Sequence, residues 1–308
     1  MEKLRLSSIF LLVIYFTSIE PKCSNEIHGL YCLNLTGDEN NILVFNMTEK
    51  TLNTSVKSVF LRNSSGDISN SSFVIFNNVD SLDIQFSSIK KFSSGSKSLD
   101  TLYLIKNYKF PNLTEDLFKS CCQNLTTLFI ANNQGLFVEN GAFKNSITLH
   151  HLTITGQNIT NLTKNLLEGL DELDYLDLQG NGIKYIAGDT FLDLERLNHL
   201  VLSHNPIINF EINTFIGLRN LESLDLLGLD LEGFDSTLFT NQHELKYIGI
   251  PSKLVKEKLQ LQELTKTFRK LERIGLLYKD MNDTLISDFV KTCRYSGFEI
   301  KITIPDHF

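Results

Sequence analysis

Residues 173–181 read LDYLDLQGN, and the pattern returns 24 residues later as LNHLVLSHN at 197–205. Both stretches follow the pattern L-x-x-L-x-L. Regular copies also begin at Leu125, Leu149, Leu221 and Leu245. Looser copies begin at Val56, Val79, Leu99 and Leu271. A period of this length is typical of a protein built from similar stacked units, and unrelated amphipathic helices would not keep one spacing over six copies.

The repeat also predicts where the core lies. One unit of about 24 residues cannot bury its own apolar face, so neighbouring units must stack and align their leucines into a continuous core. Each unit then adds one short strand to a curved parallel sheet, and loops or short helices cover the other side. A second apolar column recurs at the same spacing, at Phe143, Leu167, Phe191, Phe215 and Phe239, with Phe118 one residue out of step.

These motifs resemble the leucine-rich repeat of the extracellular, 24-residue kind, as in Toll-type receptor ectodomains and soluble invertebrate leucine-rich repeat proteins. The resemblance covers about residues 50–280. It implies an α/β solenoid, a leucine-rich repeat horseshoe with a curved parallel β-sheet on its concave face and a cap at each end. Asparagines of the repeat commonly satisfy backbone groups where the chain leaves the strand. Asn133, Asn181 and Asn205 match this position, and Gln157 and Leu229 depart from it.

The N-terminus has the layout of a secretory signal peptide. Lys3 and Arg5 precede the apolar run 9–16, and polar residues follow. That run is too short to cross a bilayer, and no other run is long enough, so we expect no membrane span. We therefore expect a signal peptide at 1–20, an N-terminal cap at 21–55, repeats at 56–252, and a last repeat with a helical cap at 253–308.

The two caps carry different signals. The resemblance implies a disulfide between Cys23 and Cys32 in the N-terminal cap, with LYCLNL as a cap strand. The C-terminal part lacks the family's usual cysteines. It predicts a helical stretch at about 253–268, followed by a second helix and a strand. The helix would bury Ile286, Phe289, Val290 and Cys293, and the strand would alternate at Phe298, Ile300, Ile302 and Ile304.

The remaining cysteines leave two hypotheses open. Cys121 and Cys122 are adjacent, and a disulfide between neighbours in sequence is expected to be strained. Cys293 lies many repeats away and is interpreted as a buried thiol. The alternative is an intermolecular disulfide, in which Cys121 or Cys122 links this chain to a partner.

Asn-x-Ser/Thr sequons are dense and unevenly distributed. They occur at Asn34, Asn46, Asn53, Asn63, Asn70, Asn112, Asn124, Asn158, Asn161 and Asn282. With the signal peptide they predict a secreted, extracellular glycoprotein. No sequon lies between residues 164 and 281, which predicts a glycan-free binding region on the concave face of the repeats from about 165 to 250, although chance clustering of Asn and Ser would give the same distribution.

The net charge and the lack of catalytic motifs argue against several classes of function. A net charge of −7 argues against nucleic acid as a partner. The chain has no H-E-x-x-H, G-x-S-x-G, P-loop or dinucleotide-binding motif, so we expect no enzyme, no cofactor and no metal site. His151 and His199 would lie two strands apart, roughly 10 Å, too far to share a metal ion.

The concave face is the predicted binding site. Positions three, five and seven of L-x-x-L-x-L-x should point outward by strand alternation. The candidate ligand contacts are His151, Tyr175, Asp177, His199, Val201, Asp225 and Tyr247. Ordinary solvated strand residues are the competing interpretation. The expected function is binding of a protein or microbial surface ligand, as in innate immune recognition. The alternatives are a structural or adhesion component of extracellular matrix or cell surface, and a secreted venom or salivary effector.

Overall fold

The repeats form a solenoid around one long sheet. The computed structural model describes residues 22–26, 29–36, 43, 56–69, 79–93, 98–232, 235–251, 266–277, 287 and 299–303. In the first part of the chain the strands are β1 Lys22–Glu26, β2 Gly29–Leu33, β3 Ser58–Arg62, β4 Ser65–Ile68, β5 Ser81–Gln85, β6 Ser88–Phe92, β7 Thr101–Ile105, β8 Thr127–Ala131 and β9 His151–Thr155. They continue with β10 Asn161–Leu162, β11 Tyr175–Asp177, β12 Tyr185–Ile186, β13 His199–Val201, β14 Ser223–Asp225, β15 Tyr247–Gly249, β16 Arg273–Leu277 and β17 Glu299–Thr303.

Thirteen of these strands make the main sheet, in the order β1-β2-β3-β5-β7-β8-β9-β11-β13-β14-β15-β16-β17. The pair β1–β2 is antiparallel, and every later pair of the main sheet is parallel. The pairs β4–β6 and β10–β12 form two short sheets of their own. The leucine-rich repeat solenoid predicted from the repeat is therefore confirmed.

The first strands stay in register although the sequence spacing between them varies. Ser58 pairs with Ser81, Ser81 with Thr101, and Thr101 with Thr127. Since side chains alternate along a strand, a slip of one residue would turn every leucine out of the core. The connecting loops take up the differences in length instead.

The leucines of the repeat fill the core. Leu197, Leu200 and Leu202 have no exposed surface, and their equivalents in neighbouring repeats are also buried. On the opposite side, Phe215 contacts the ring of Phe191 at 6.4 Å and that of Phe239 at 5.0 Å, measured between centroids. From Phe191 to Phe239 the predicted apolar column is thus a buried aromatic stack, which ties each of these repeats to the next.

A row of side chains satisfies the backbone where each strand ends. The Oδ1 atom of Asn181 accepts a hydrogen bond from the N–H of Gln157 at 2.9 Å, and Oδ1 of Asn133 accepts from Asn107 at 2.9 Å. The row reaches back to Ser64 and Ser87, whose hydroxyls accept backbone N–H groups from the preceding repeats. We call Ser64, Ser87, Asn107, Asn133, Gln157, Asn181 and Asn205 the polar ladder.

Gln157 and Leu229 occupy the asparagine position of their repeats, and their side chains are accommodated differently. The Oε1 atom of Gln157 is buried without a hydrogen-bond partner, since a glutamine side chain is one methylene longer than asparagine. Leu229 is 5% exposed and contributes an apolar side chain at the equivalent position. The ladder is thus imperfect at Gln157.

The residue just before each ladder position adopts a left-handed backbone. Lys106, Asn132 and His204 have φ of 51°, 52° and 56°, and Gly180 and Gly228 occupy the equivalent positions. A side chain at positive φ is uncommon, and asparagine and glycine tolerate it best. His204 is therefore a corner residue of the solenoid.

The N-terminal hairpin carries a disulfide. Cys23 on β1 lies directly opposite Cys32 on β2, and their sulfurs are bonded, with Cα atoms 4.1 Å apart. Cys32 is fully buried, and Leu30 beside it on β2 closes the end of the core. The hairpin therefore covers the edge of the first repeat.

Cys121 and Cys122 form a disulfide between neighbours in sequence, the pairing expected to be strained. They lie at the end of helix α1 (Glu115–Cys121), and their sulfurs are bonded to each other at 2.04 Å. Both side chains are buried, Cys121 at 7% exposure and Cys122 at 1%. In this state neither sulfur is free to link a partner chain.

Only parts of the C-terminal cap are described. Lys266 and Thr267 are helical, and β16 and β17 extend the main sheet in parallel, so the predicted final strand is present as Glu299–Thr303. The side chains of the predicted helix face, including Cys293, and most of the helical stretch predicted at 253–268 lie outside the described residues. So do the predicted signal peptide and Asn46, Asn53, Asn70 and Asn282.

Candidate ligand-binding face

The register of the sheet builds one continuous column of side chains. Tyr175 pairs with His151 on one side and with His199 on the other, and the column continues through Ser223 to Tyr247. The 24-residue period places these positions side by side, because each repeat contributes one strand to a parallel sheet. We call this row of five residues the aromatic column.

Three rings of the aromatic column pack against one another. The centroid of Tyr175 lies 5.9 Å from that of His151 and 6.0 Å from that of His199. Both histidines are exposed, and Tyr175 is half-buried between them. Tyr247 lies two strands further along, and the guanidinium of Arg273 sits 5.7 Å from its ring centroid. Stacking holds the rings in place, so they offer a rigid contact surface.

A second column carries two carboxylates. Asp177 and Asp225 flank Val201 across the sheet. The Oδ1 atom of Asp177 accepts the N–H of Gln179 at 2.8 Å, and that of Asp225 accepts the N–H of Leu227 at 2.9 Å. These bonds fix both carboxylates on the sheet face.

Burial dominates the electrostatics of these groups. Desolvation raises the pKa of Asp225 above its usual value, and it does the same for Asp177, where the charge of Asp225 adds to the effect. Desolvation also raises the pKa of Tyr247 to about 12, with a contribution from Asp225. The face thus holds two carboxylates whose charged forms are poorly solvated.

Glycines in the second column make room for these side chains. A Cβ atom at Gly249 would lie 2.5 Å from Oδ1 of Asp225 and 2.9 Å from Cγ of Leu227, closer than atoms can approach. At Gly275 a Cβ atom would meet the hydroxyl of Tyr247. The side chains of Asp225 and Tyr247 therefore pack over the neighbouring strand, each in the space left by a glycine that has no Cβ atom. We call this part of the sheet, β14 to β16, the glycine notch.

The expectation that position seven of the repeat points outward is wrong for several repeats. At position seven of the repeat, Ala131, Ser203 and Leu227 are buried rather than exposed. The later strands span only three residues, such as Ser223–Asp225. In the repeats of Ser203 and Leu227 the alternation that would point position seven outward therefore stops before that residue, whereas Ala131 is the last residue of β8.

Sequence reasoning missed how adjacent repeats are joined along the edge of the sheet. The Nδ1 atom of His150 lies 3.0 Å from Oδ2 of Asp174 in the next repeat, and Nζ of Lys246 lies 2.8 Å from Oε2 of Glu222. These exposed pairs recur at the spacing of the repeat. They are polar links between neighbours and lie beside the candidate face.

Two further observations bear on the chemistry of the site. Among the residues that the structure describes, no three His, Cys, Asp or Glu side chains gather as they would around a metal ion. In the same residues no helix has the length and hydropathy needed to cross a bilayer.

Comparison with known proteins agrees with the architecture. Residues 111–246 match the model of the BspA type leucine-rich repeat region, in six copies. The search of curated proteins finds no match. The six matched copies coincide with the regular part of the sheet, where the inward leucines, the polar ladder and the parallel register recur. Residues 111–246 are thus a leucine-rich repeat region, within a solenoid of that fold.

Proposed function

We propose that this chain is a secreted, glycosylated binding protein, without enzymatic activity, that recognises a protein or microbial surface ligand through the outward face of strands β9 to β15. The observation that carries the proposal is the aromatic column. Stacked histidine and tyrosine rings supply contact area at low entropic cost, because their positions are fixed before a ligand arrives. Leucine-rich repeat solenoids use such extended surfaces for binding.

The sequon distribution supports this location. Asn63, Asn112, Asn124, Asn158 and Asn161 are exposed and thus open to glycosylation. No sequon falls between residues 164 and 281, which include four of the five residues of the aromatic column. Glycans attached to the front half of the solenoid would leave this part of the face uncovered.

Innate immune recognition is the role favoured by the resemblance to Toll-type ectodomains and soluble invertebrate proteins. Expression that rises on infection would support it. Constant expression in structural tissue would favour the adhesion role instead.

Export is tested separately. We expect the full chain, expressed in a eukaryotic secretory host, to appear in the medium, and peptide N-glycosidase to shift its mobility on a gel. Retention of an unglycosylated chain in the cell would overturn the secreted part of the proposal.

Binding is tested by capture with matched variants. The face variant replaces Tyr175, His199 and Tyr247 with alanine. The control variant replaces Tyr108, Tyr185 and His243, two tyrosines and a histidine that are also exposed but lie outside the face. The wild-type chain and both variants are each incubated with extracellular fluid from the source tissue and, separately, with microbial cells. A ligand held by the wild-type and control chains and lost by the face variant supports the proposal, and equal capture by all three places the site elsewhere.

A further inference from the structure

The outward positions of strands β9 to β15 carry negative charge and include no fixed cation. Among the outward positions of β9 to β15, Asp177 and Asp225 are charged, and none is lysine or arginine. The remaining titratable groups there are the histidines and tyrosines of the aromatic column. His204 contributes a favourable interaction to Asp225 from the corner behind it, and Arg273 flanks the face beyond Tyr247.

Both carboxylates keep acceptor capacity toward a ligand. The backbone hydrogen bond engages Oδ1 of each, whereas an ionised carboxylate offers about four lone-pair sites on its two oxygens. Their burial makes the uncompensated charge costly, and a cation placed against it would recover that cost. The charge on this face is complementary to a basic partner.

The rings beside the carboxylates suit a guanidinium more than an ammonium. A guanidinium stacks on aromatic faces and binds carboxylates through two parallel hydrogen bonds. Tyr247 already holds the guanidinium of Arg273 at 5.7 Å, so this chemistry is present at one end of the face. Tyr175 lies two residues before Asp177 on β11, where its ring packs between those of His151 and His199.

The spacing of the carboxylates sets the spacing of the ligand's charges. Asp177 and Asp225 are two strands apart, which is roughly 10 Å at the usual strand separation. In a polyproline II segment, residues i and i+3 point the same way and lie about 9 Å apart. An extended peptide that crosses the strands would therefore bring arginines at i and i+3 to the two carboxylates.

We propose that this face binds an extended, arginine-bearing segment of a partner protein, with arginines three residues apart paired to Asp177 and Asp225 beside the rings of Tyr175 and Tyr247. This inference rests on the proposed function, because it names the partner chemistry of the same face.

The test uses a fluorescein-labelled peptide, Arg-Pro-Pro-Arg-Pro-Pro-Arg, blocked at its C-terminus, and fluorescence anisotropy with the full chain. The carboxylate variant Asp177→Asn/Asp225→Asn keeps the shape of both side chains. Its matched control, Asp171→Asn/Asp189→Asn, removes the same charge from two exposed positions outside the face. We expect the carboxylate variant to weaken binding about tenfold or more, as for the loss of two charge-assisted hydrogen bonds, and the matched control to change it less than about twofold.

A second peptide and a salt series complete the design. A peptide with glutamate in place of each arginine should not bind, and binding of the arginine peptide should weaken as salt is raised. Equal loss in both variants would show general attraction to an acidic protein and would overturn the inference. Equal binding of the arginine peptide by the wild-type chain and the carboxylate variant would also overturn the inference.

The experiments distinguish a failure of the arginine-peptide inference from a failure of the proposed function. If the carboxylate variant still captures the ligand that the alanine variant at Tyr175, His199 and Tyr247 loses, the face is a binding site and the arginine chemistry is wrong. If the alanine variant captures the ligand normally while the peptide depends on the two carboxylates, the peptide site is real and the proposed function fails.

Discussion

The amide oxygen of Asn205 accepts two backbone hydrogen bonds at once, from the N–H groups of Asn181 and Ile183, each at 3.0 Å. Its amide nitrogen donates to the carbonyls of Leu178 and Leu202 at 2.9 Å and 2.8 Å. One side chain thus satisfies backbone groups in two consecutive repeats.

We expect Asn205→Ala to lower the free energy of unfolding by about 2–4 kcal/mol, since it leaves buried N–H and C=O groups without partners. Urea unfolding followed by circular dichroism measures the change. The matched control is Asn209→Ala, at an exposed asparagine four residues on, which should change stability by less than about 0.5 kcal/mol. Equal effects would mean that the polar ladder contributes nothing beyond side-chain propensity.

Gln157→Asn should stabilise the chain. The shorter side chain would bring its oxygen to the backbone N–H of the preceding repeat, as Asn181 does for Gln157, and would remove the buried acceptor that lacks a partner. A gain of about 0.5–2 kcal/mol is typical when a residue is changed to the consensus of its repeat. Thermal unfolding checks the direction. A lower midpoint would mean that the glutamine packs favourably despite its unpaired oxygen.

The carboxylates of the candidate face should destabilise the unliganded protein near neutral pH. Their pKa values are raised in the folded chain, so the folded state binds more protons than the unfolded state between the usual value of 3.8 and the raised pKa. Stability therefore falls as pH rises through that window, and the cost is complete above it.

Asp225→Asn and Asp177→Asn are expected to raise the midpoint of unfolding at pH 7, and this advantage should shrink as pH falls through the raised pKa values toward 3.8, where it is lost. Denaturant titrations over a pH series provide the measurement. Asp189→Asn, at a surface position, should show no comparable pH-dependent gain. Destabilisation at pH 7 by Asp225→Asn or Asp177→Asn would mean that the bonds to Gln179 and Leu227 outweigh desolvation.

The pairing of Cys121 with Cys122 predicts a monomer on a non-reducing gel. The peptide that contains both residues should be lighter by two hydrogens before reduction than after it, as intact-peptide mass spectrometry would detect. A band at dimer mass that reductant converts to monomer would instead support the intermolecular disulfide.

The fold could be predicted because the repeat acts through geometry that depends on period alone. A leucine at each inward position fixes which face is buried, and equal spacing places His151, Tyr175 and His199 side by side. The hydrophobic effect and strand alternation are sufficient for both conclusions.

The finer structure of the face depends on features that no period encodes. The notch that holds Asp225 exists because the next repeat happens to carry Gly249, and it is set by side-chain conformation across two strands. The pairing of Cys121 and Cys122 likewise depends on how the chain leaves α1. A signal for the left-handed corner was present, since Asn132, Gly156, Gly180 and Gly228 recur before the ladder position, and it would have assigned His204 to that corner.

The orphaned oxygen of Gln157 also has a consequence for cooperativity. In a solenoid each repeat contacts only its neighbours, so stability is a chain of nearest-neighbour couplings, and one weak coupling divides it into blocks that open separately. We expect Gln157 to mark such a seam, between the sequon-rich front of the molecule and the bare part of the candidate face. Amides on either side of it should exchange with solvent at different rates, and a ligand bound on the face should protect the rear block more than the front.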